Sequence, residues 1–374
     1  MELKELRNRI DEIDSKILRL FEQRMSVCRK VALYKKEHDL PVFQGGREDE
    51  VINNIRNQTK EEELKNGTAA LFTTIMDISK HLQQQELLKS SDISLFPPVE
   101  PVRLADAVKI GCQGTSGSNS ETAANMIFGY DRSLTFYHTF EDVFKAVERE
   151  EIEYGVIPIN NSTAGSVTQT YDLMSKYSFY IIKSVCVEIN HCLAVREDTD
   201  ISEIQEVISH PQALSQCSEY LAKCGFKTVP YDNTATAAKY VAESSEKIAA
   251  VCSEDCAKIL GLKIVKREIA NSIPNFTKFI CISKNFQVLP EADTISVVLK
   301  LPNTQGSLYR LLTKFFVNGL NLDKLESRPI KNGSFEVMFY LDFKGNIKDK
   351  GVAALIADLS QNLEFFKFLG AHCE

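Results

Sequence analysis

The stretch LKELRNRIDEIDSKILRLFEQRMSVCRKVALYKKE, residues 3–37, decides the fold of the first part of the chain. Its apolar residues recur at alternating spacings of three and four, which predicts one long helix packed against other helices. The series consists of Leu3, Leu6, Ile10, Ile13, Ile17, Leu20, Val27, Val31 and Tyr34. Arg24 falls in the same series, between Leu20 and Val27, where a guanidinium is costly unless it is paired with an anion.

Two explanations of Arg24 are open. The first is a structural ion pair, and the candidate acids are Glu22, Glu48 and Asp49. The second is an anionic ligand, and Lys35 favours it because it lies on nearly the same face of the helix. Arg7 lies on another face and would reach such a pocket only from a neighbouring chain. The pattern therefore predicts a buried site for a polyanion, built between chains.

The composition is that of a globular protein of two or three domains, with 374 residues, 44% hydrophobic and 25% charged. A net charge of −7 argues against binding to nucleic acids or membrane surfaces. The chain shows no signal-peptide pattern and no apolar run long enough to span a bilayer. Ten cysteines without a CxxC pair, together with six histidines, predict reduced thiols and no metal site. We therefore expect a cytoplasmic protein.

The periodicity changes twice along the chain, which predicts three domains. A helical pattern comes first, followed by a stretch rich in serine and proline. Short apolar runs then alternate with helical stretches, which predicts an α/β domain with a largely parallel sheet. The last part follows the ferredoxin-like βαββαβ order. The predicted domains are all-α at 1–88, α/β at 107–284 and α+β at 293–374, with a linker at 89–106.

The predicted elements follow from these patterns. The predicted helices lie at 3–37, 47–58, 68–88, 122–128, 167–175, 213–223, 235–243, 308–317 and 352–361. The predicted strands lie at 108–112, 154–159, 180–187, 206–209, 248–252, 279–283, 294–301, 321–329, 334–343 and 366–372. Ligands of an α/β sheet bind at the loops that follow the carboxyl ends of its strands.

Five short runs of the helical part match a known family: LRNRID, EQR around Arg24, YKK around Lys35, REDE, and LFTTIMDISKHLQQ. Over about the first 88 residues the chain resembles the all-helical chorismate mutases. The resemblance implies an intertwined dimer in which Arg7 crosses into the partner's site. The residues that it implies are Arg7, Arg24 and Arg47 for the substrate carboxylates, Lys35 and Gln83 for the ether oxygen, and Glu48 and Ser79 to complete the pocket. On spacing alone, Ser79 and Gln83 fit the solvent boundary of a helix instead.

Four motifs of the α/β part resemble prephenate dehydratases over roughly residues 108–284. They are GCQGTSGSNSETA at 111–123, PINNSTAGSV at 158–167, SHPQALSQ at 209–216 and NFTKF at 275–279. The resemblance implies two lobes, like type II periplasmic binding proteins, with the site in the cleft. It implies that Thr277 acts as proton donor for the departing ring hydroxyl. The substrate-binding residues that it implies are Asn161, Ser162, Thr163, Ser209, Gln216 and Phe279, with Lys278 holding a carboxylate where the family usually has arginine.

The last part carries GSLY at 306–309 and ESRP at 326–329, and with its βαββαβ order it resembles the ACT domains. The resemblance implies that phenylalanine binds between two chains and inhibits the enzyme. The residues that it implies are Gly306, Ser307, Leu308, Glu326, Ser327, Arg328 and Pro329.

Together the three resemblances imply a bifunctional chorismate mutase and prephenate dehydratase, an isomerase and a lyase of phenylalanine biosynthesis. We expect no cofactor and no metal. We expect the protein to form a homodimer or a dimer of dimers. The first alternative is a mutase fused to a weakened dehydratase that only senses phenylalanine, suggested by Lys278, Asn160 and Asn119 in place of the family's usual residues. The second alternative is a solute receptor, and the third is an enzyme that dehydrates arogenate as well as prephenate.

Overall fold

The computed structural model describes residues 2–38, 40, 45–88, 96, 99–100, 102, 104, 109–272, 274–330 and 336–374. The chain divides into two compact units, one made of residues 1–98 with 294–368 and the other of residues 99–293 with 369–374. Most of the predicted linker at 89–106 lies outside the described residues. Among the helices of the described part, none combines the length and the apolarity that crossing a bilayer requires.

The first unit begins with three helices, as the periodicity predicted. They are α1 at Leu3–Glu37, α2 at Gly45–Gln58 and α3 at Lys65–Leu88. α1 ends at the predicted residue, where Lys35 and Lys36 in its last turn complement the helix dipole. α2 and α3 begin slightly earlier than predicted, because their polar first turns carry no apolar periodicity.

The apolar series of α1 remains largely exposed in the single chain. α3 packs against both α1 and α2, but the buried residues of α1 are only Met25 and Ala32. Ile10, Leu20 and Val27 are 55%, 65% and 58% exposed. A continuous apolar stripe of this kind is typical of a surface that another protein surface covers.

The second unit contains strands β1 to β11 and helices α4 to α10. Their bounds are β1 Ile110–Gln113, α4 Asn119–Phe128, β2 Leu134–Tyr137, α5 Phe140–Glu148, β3 Tyr154–Asn161, β4 Gly165–Ser166, α6 Thr168–Lys176, β5 Tyr180–Glu188, β6 His191–Val195, β7 Glu206–Ser209, α7 Pro211–Gln216, α8 Ser218–Lys223, β8 Lys227–Pro230, α9 Thr234–Glu243, β9 Ile248–Ser253, α10 Glu254–Ile259, β10 Lys263–Lys266 and β11 Phe276–Ser283. Of these elements, the sequence did not predict β2, α5, β4, β6, β8, α10 and β10.

These strands form two separate mixed sheets. The first has the order β2-β1-β3-β11-β5, with β4 beside β3, and the second has the order β10-β6-β9-β7-β8. β1 is parallel to β2 and β3, whereas β11 runs antiparallel to β3 and β5. The prediction of one largely parallel sheet is therefore wrong. The chain leaves the first sheet after β5, builds the second sheet, and returns as β11 between β3 and β5, which gives two lobes.

The predicted helix at 213–223 is two helices, because Asn271 takes up the backbone groups at the break. The Asn271 backbone N–H donates to the Gln216 carbonyl at 2.6 Å. Its side-chain amide donates to the Ser215 carbonyl at 3.3 Å and accepts from the Glu219 N–H at 3.1 Å. These bonds satisfy the end of α7 and the start of α8 at once.

The first unit ends with a four-stranded sheet and two helices. They are β12 Thr294–Lys300, α11 Ser307–Val317, β13 Leu322–Pro329, β14 Val337–Lys344, α12 Lys350–Asn362 and β15 Phe365–His372, whose last four residues belong to the second unit. The strand order is β13-β14-β12-β15, with β14 antiparallel to β12 and β13. This topology confirms the predicted ferredoxin-like arrangement. Both α11 and α12 pack against α3.

Residues 369–374 belong to the second unit and cover the edge of its first sheet. The Ser184 N–H on β5 donates to the Cys373 carbonyl at 2.8 Å, and Lys183 and Cys373 form a parallel bridge. Gly370 has φ +140°, and a Cβ there would lie 2.4 Å from the Ile181 carbonyl oxygen. Only glycine fits this close approach.

Candidate functional site

Arg24 lies inside the helical part and donates to neutral groups. Its Nη1 donates to Ser79 Oγ at 2.6 Å and to the Ile75 carbonyl at 3.5 Å. Among the described residues it forms no ion pair with the three candidate acids, so the structural ion-pair explanation is not supported. A partly buried cation held only by neutral groups is suited to an anionic ligand.

Ser79 and Gln83 lie beside Arg24 rather than at a solvent boundary. Their exposed fractions are 4% and 7%, so the interpretation of these two residues as boundary positions is wrong. Gln83 Nε2 donates to the Ser79 carbonyl at 3.3 Å. Its Oε1 is buried without a hydrogen-bond partner among the described residues. The site thus contains an amide that can turn toward a ligand.

Lys35 and Glu48 carry opposite charges in this region. Burial lowers the pKa of the Lys35 ammonium, and the negative charge of Glu48 opposes part of that shift. Glu48 Oε2 also accepts from Lys80 Nζ at 3.1 Å. Lys80 is on the same face of α3 as Asp77, whose Oδ1 it contacts at 2.8 Å.

The other two predicted arginines are not brought into this site within one chain. Arg7 is exposed. The Arg47 side chain is 69% exposed and pairs with Glu50 at 3.2 Å. A single chain therefore assembles only part of the predicted cation set.

A cavity of about 300 Å³ lies in the second unit, lined by the ends of several strands and helices. The lining residues are Gln113, Gly114, Ser118, Asn119, Ser120, Phe140, Pro158, Asn161, Val167, Ile189, His191, His210, Gln212, Ala213, Gln216, Asn233, Thr234, Thr277 and Phe279. The cavity thus contains four of the predicted residues, Asn161, Gln216, Thr277 and Phe279. It is large enough for a small organic acid.

Backbone donors fix the orientation of the Asn161 amide at the edge of this cavity. Its Oδ1 accepts from the N–H groups of Thr163 at 3.1 Å and Ala164 at 2.8 Å. The amide nitrogen therefore faces Thr277, and Nδ2 donates to Thr277 Oγ1 at 2.9 Å. Because that oxygen accepts from Asn161, the hydroxyl proton of Thr277 is left for another acceptor.

The chain of hydrogen bonds continues to a histidine that the sequence did not single out. Gln216 Nε2 donates to Thr163 Oγ1 at 2.7 Å and contacts Asn161 Oδ1 at 3.4 Å. Its Oε1 lies 3.0 Å from His191 Nε2. Since an amide oxygen only accepts, His191 donates from Nε2. Burial lowers the pKa of His191, and the bond to Gln216 opposes this shift.

Three predicted hydroxyl residues make other contacts than the resemblance implied. Ser209 is fully buried and its Oγ donates to the Val251 carbonyl at 2.6 Å, so it joins β7 to β9 and does not line the cavity. Ser162 Oγ accepts from the Phe276 N–H at 2.9 Å, which holds the start of β11. Thr163 bonds to Gln216 but also does not line the cavity.

Lys278 does not lie in the cavity. Its Nζ pairs with Glu374 Oε2 at 2.6 Å. Strand β11 begins at Phe276, earlier than the predicted residue 279, so Thr277 and Lys278 are adjacent strand residues that point to opposite faces. The structure therefore does not support Lys278 as the residue that holds a substrate carboxylate.

Among the described residues that line the cavity, none is a lysine or an arginine. Helix N-termini supply positive charge to the cavity instead of lysine and arginine side chains. The N-cap residues Ser118, Val167 and Asn233 of α4, α6 and α9 all contribute to the lining. Backbone N–H groups at the start of a helix carry a partial positive charge and bind carboxylates.

A smaller cavity of about 200 Å³ opens at the start of α11 in the first unit. Gly306 precedes the helix with φ +82°, a conformation that favours glycine. Ser307 lines the cavity, with Arg310 and Leu311 one turn further along. The predicted residues Glu326, Ser327, Arg328 and Pro329 lie on β13 and do not line it. Arg328 Nε is buried and has no hydrogen-bond partner within the described part of the chain.

Comparisons with known proteins agree on two enzyme families. The family described as chorismate mutase type II matches residues 6–84, and the family described as prephenate dehydratase matches residues 110–287. A bifunctional chorismate mutase/prephenate dehydratase of Aquifex aeolicus is 30% identical over 373 residues, which cover 99% of this chain and 98% of that protein. An arogenate dehydratase/prephenate dehydratase of Arabidopsis thaliana is 32% identical over 310 residues, which cover 79% of this chain and 81% of that protein. The crystal structure of a prephenate dehydratase from Arthrobacter aurescens in complex with L-Phe is 28% identical, has a TM-score of 0.66, and covers 71% of this chain and 90% of that one.

Proposed function

The chain belongs to the family of bifunctional chorismate mutase/prephenate dehydratases, and on that premise we propose which residues carry each of its two reactions. It is an isomerase that rearranges chorismate to prephenate and a lyase that converts prephenate to phenylpyruvate. It serves the biosynthesis of phenylalanine, which regulates it. The residue assignments below are ours.

For the mutase reaction, Arg24 binds a substrate carboxylate. The observation that carries this assignment is a partly buried guanidinium whose contacts are Ser79 Oγ, at 2.6 Å, and other neutral groups. Lys35 and Gln83 donate to the ether oxygen as the C–O bond breaks and negative charge develops there. A Claisen rearrangement moves electrons within the substrate alone, so the protein needs to hold a compact conformer and stabilise that charge.

One further mutase residue, Arg7, comes from a second copy of the chain. The exposed apolar series of α1 supports a dimer whose interface covers it. In that dimer Arg7 of one chain enters the site of the other, and Arg47 turns from Glu50 to the substrate. We extend the proposal to a homodimer or a dimer of dimers. The molar mass in solution, measured by light scattering, tests it.

For the dehydratase reaction, Thr277 donates a proton to the departing ring hydroxyl. The observation that carries this assignment is the Asn161 Nδ2 bond to Thr277 Oγ1, which directs the hydroxyl proton elsewhere. The carboxylate leaves as carbon dioxide, its bonding electrons enter the ring, and the ring C–O bond breaks. The departing oxygen takes the Thr277 proton and leaves as water, and solvent returns a proton to Thr277.

The two carboxylates of prephenate bind at the helix N-termini of the cavity. This assignment follows from the N-caps Ser118 and Asn233 in a lining that contains no lysine or arginine. Because Lys278 lies outside that lining, its replacement of the usual arginine gives no reason to expect a weakened dehydratase. Single-turnover assays with prephenate distinguish an active dehydratase from a domain that only senses its ligand. A sensor without turnover would bind prephenate and form no phenylpyruvate.

The test of the dehydratase assignment compares two variants of one residue. Thr277→Ser keeps the hydroxyl and should keep phenylpyruvate formation, whereas Thr277→Val keeps the shape and should abolish it. Both should rearrange chorismate at the wild-type rate, and Thr277→Ser controls for folding of the second unit. Wild-type phenylpyruvate formation by Thr277→Val would remove Thr277 from its role. The same assay with arogenate beside prephenate measures which substrate is preferred.

The last part of the chain is an ACT domain, and phenylalanine binds at the start of α11. The cavity beside Ser307, with backbone donors after Gly306, suits an amino-acid carboxylate. Glu326, Ser327, Arg328 and Pro329 would join the site from a second chain. We also place the protein in the cytoplasm, which the ten cysteines without disulfide bonds support.

A further inference from the structure

We propose that Arg310, on α11 of the C-terminal α+β part, is a positioning residue for the mutase reaction and acts through Glu48. The inference rests on the proposed mutase function in one respect, that Glu48 completes the mutase pocket, as the resemblance to the chorismate mutases implies. It adds a residue that lies outside the helices of the mutase part of the chain. The contacts between α11, α2 and α3, all in the first unit, carry it.

Arg310 reaches two acids on different helices. Its Nη2 donates to Glu48 Oε2 on α2 at 3.2 Å and to Asp77 Oδ1 on α3 at 3.3 Å. Lys80 contacts the same two oxygen atoms, at 3.1 Å and 2.8 Å. Two cations and two acids therefore form one closed network that ties α11 to both mutase helices.

The network is shielded from solvent on the mutase side. The side chains of Asp77, Lys80 and Glu48 are 2%, 12% and 17% exposed, and that of Arg310 is 41% exposed. Charged hydrogen bonds in such surroundings are stronger than on an open surface, because less water screens them. The partly exposed guanidinium is therefore the member of the network that a change in α11 can move.

The geometry indicates that Arg310 holds Glu48 in the pocket rather than drawing it out of the pocket. Both cations contact the same oxygen of the carboxylate, Oε2. The other oxygen, Oε1, is left for a ligand, and the charge of Glu48 is felt by Lys35 in the mutase site. Arg310 thus fixes the rotamer of Glu48 while leaving its second oxygen to the reaction. Holding a catalytic group in place in this way raises the rate rather than the ground-state affinity.

The first experiment measures mutase kinetics of Arg310→Met and Arg310→Lys in the full chain. Arg310→Met removes the cation at similar length and should lower kcat about tenfold, well under the roughly hundredfold loss that a 1 Å displacement of reacting groups can cause. KM should change much less than kcat. Arg310→Lys keeps one cation within reach and should recover most of the rate. Phenylpyruvate formation by the same samples controls for folding of the second unit, and Arg310→Lys controls for folding of the first.

A matched control separates this role from packing. Tyr309→Phe breaks another polar contact between α11 and α3, the Tyr309 Oη to Thr74 Oγ1 bond at 3.0 Å, and leaves Glu48 untouched. It should keep the wild-type kcat. A loss with Tyr309→Phe as large as with Arg310→Met would mean that α11 acts only by packing and would overturn the proposal. An unchanged or raised kcat of Arg310→Met would overturn it as well.

A double-mutant comparison separates the failure of this inference from the failure of the proposed function. If Arg310 acts through Glu48, Arg310→Met should have no further effect on kcat in a Glu48→Gln background. A full additional loss in that background overturns the inference. Wild-type kcat of Glu48→Gln alone removes Glu48 from the mutase site, and with it the proposed function on which the inference rests. A large loss with Glu48→Gln and none with Arg310→Met refutes only the inference.

Discussion

Replacing His191 tests whether its hydrogen bond sets the direction of the Thr277 proton. The two informative variants are His191→Gln and His191→Asn. A glutamine amide nitrogen reaches the position of His191 Nε2, which donates to Gln216 Oε1 at 3.0 Å. An asparagine amide is shorter and reaches only the position of Nδ1. His191→Gln therefore keeps the donor and His191→Asn loses it.

The size of the effect depends on the hydrogen bonds that Gln216 Oε1 retains when His191 is replaced. Without His191 its Oε1 keeps only the Asn275 Nδ2 contact at 3.4 Å. A buried acceptor left poorly satisfied costs about 1–3 kcal/mol. The amide avoids that cost by rotating, which turns its oxygen toward Asn161 Oδ1 and disturbs the donor to Thr277. Because the cavity admits water, we take the lower part of that range, about 1–2 kcal/mol, which corresponds to a five- to thirtyfold loss of dehydratase kcat.

The assay is phenylpyruvate formation from prephenate, followed by absorbance in base, with His191→Gln as the control for folding of the second unit. His191→Gln should retain most of the wild-type kcat, and His191→Asn should show the loss. Equal losses in the two variants would refute the hydrogen-bond argument, because they would make the imidazole itself necessary. A wild-type kcat of His191→Asn would show that Gln216 keeps its orientation without the histidine.

Three further outcomes are expected. Arg24→Ala should abolish chorismate rearrangement and spare phenylpyruvate formation, and a wild-type mutase rate would contradict the assignment. Lys278→Met should leave the KM for prephenate nearly unchanged, because its ion pair is partly exposed and outside the cavity; a large rise in KM would return Lys278 to the substrate. Burial lowers the pKa values of His81, His191 and His210, so unfolding takes up protons and the free energy of unfolding should fall as the pH drops below about 6.5. Urea midpoints across that range measure the fall, and midpoints that rise toward acid would contradict it.

The helices and the ferredoxin-like part could be predicted because each of their elements has a clear period. α1 ends at the predicted Glu37, and the strand order of the last sheet follows from its βαββαβ sequence. The second sheet of the dehydratase unit could not be predicted in the same way. Its strand β8, Lys227–Pro230, is short, mostly exposed and ends in proline, so it has neither a long apolar run nor a clear alternation.

The candidate sites were predicted residue by residue, and two of the misses have different causes. A strand start placed three residues late, at Phe279 instead of Phe276, hid the fact that Thr277 and Lys278 face opposite sides of β11. His191 gave no signal because it is a single histidine before an apolar run, which in most sequences is an ordinary strand end. Only the three-dimensional contact with Gln216 identifies it.

The position of residues 369–374 has a consequence for synthesis of the chain. These residues cover β5, which is the edge strand of its sheet, yet the ribosome makes them after all of residues 294–368. At about 5–20 residues per second, the edge of β5 is bare for several seconds after its own sheet can form. Uncovered edges pair readily with other chains. The nascent dehydratase is therefore most prone to aggregate in that interval. Slow translation of the codons for residues 294–368 lengthens the interval.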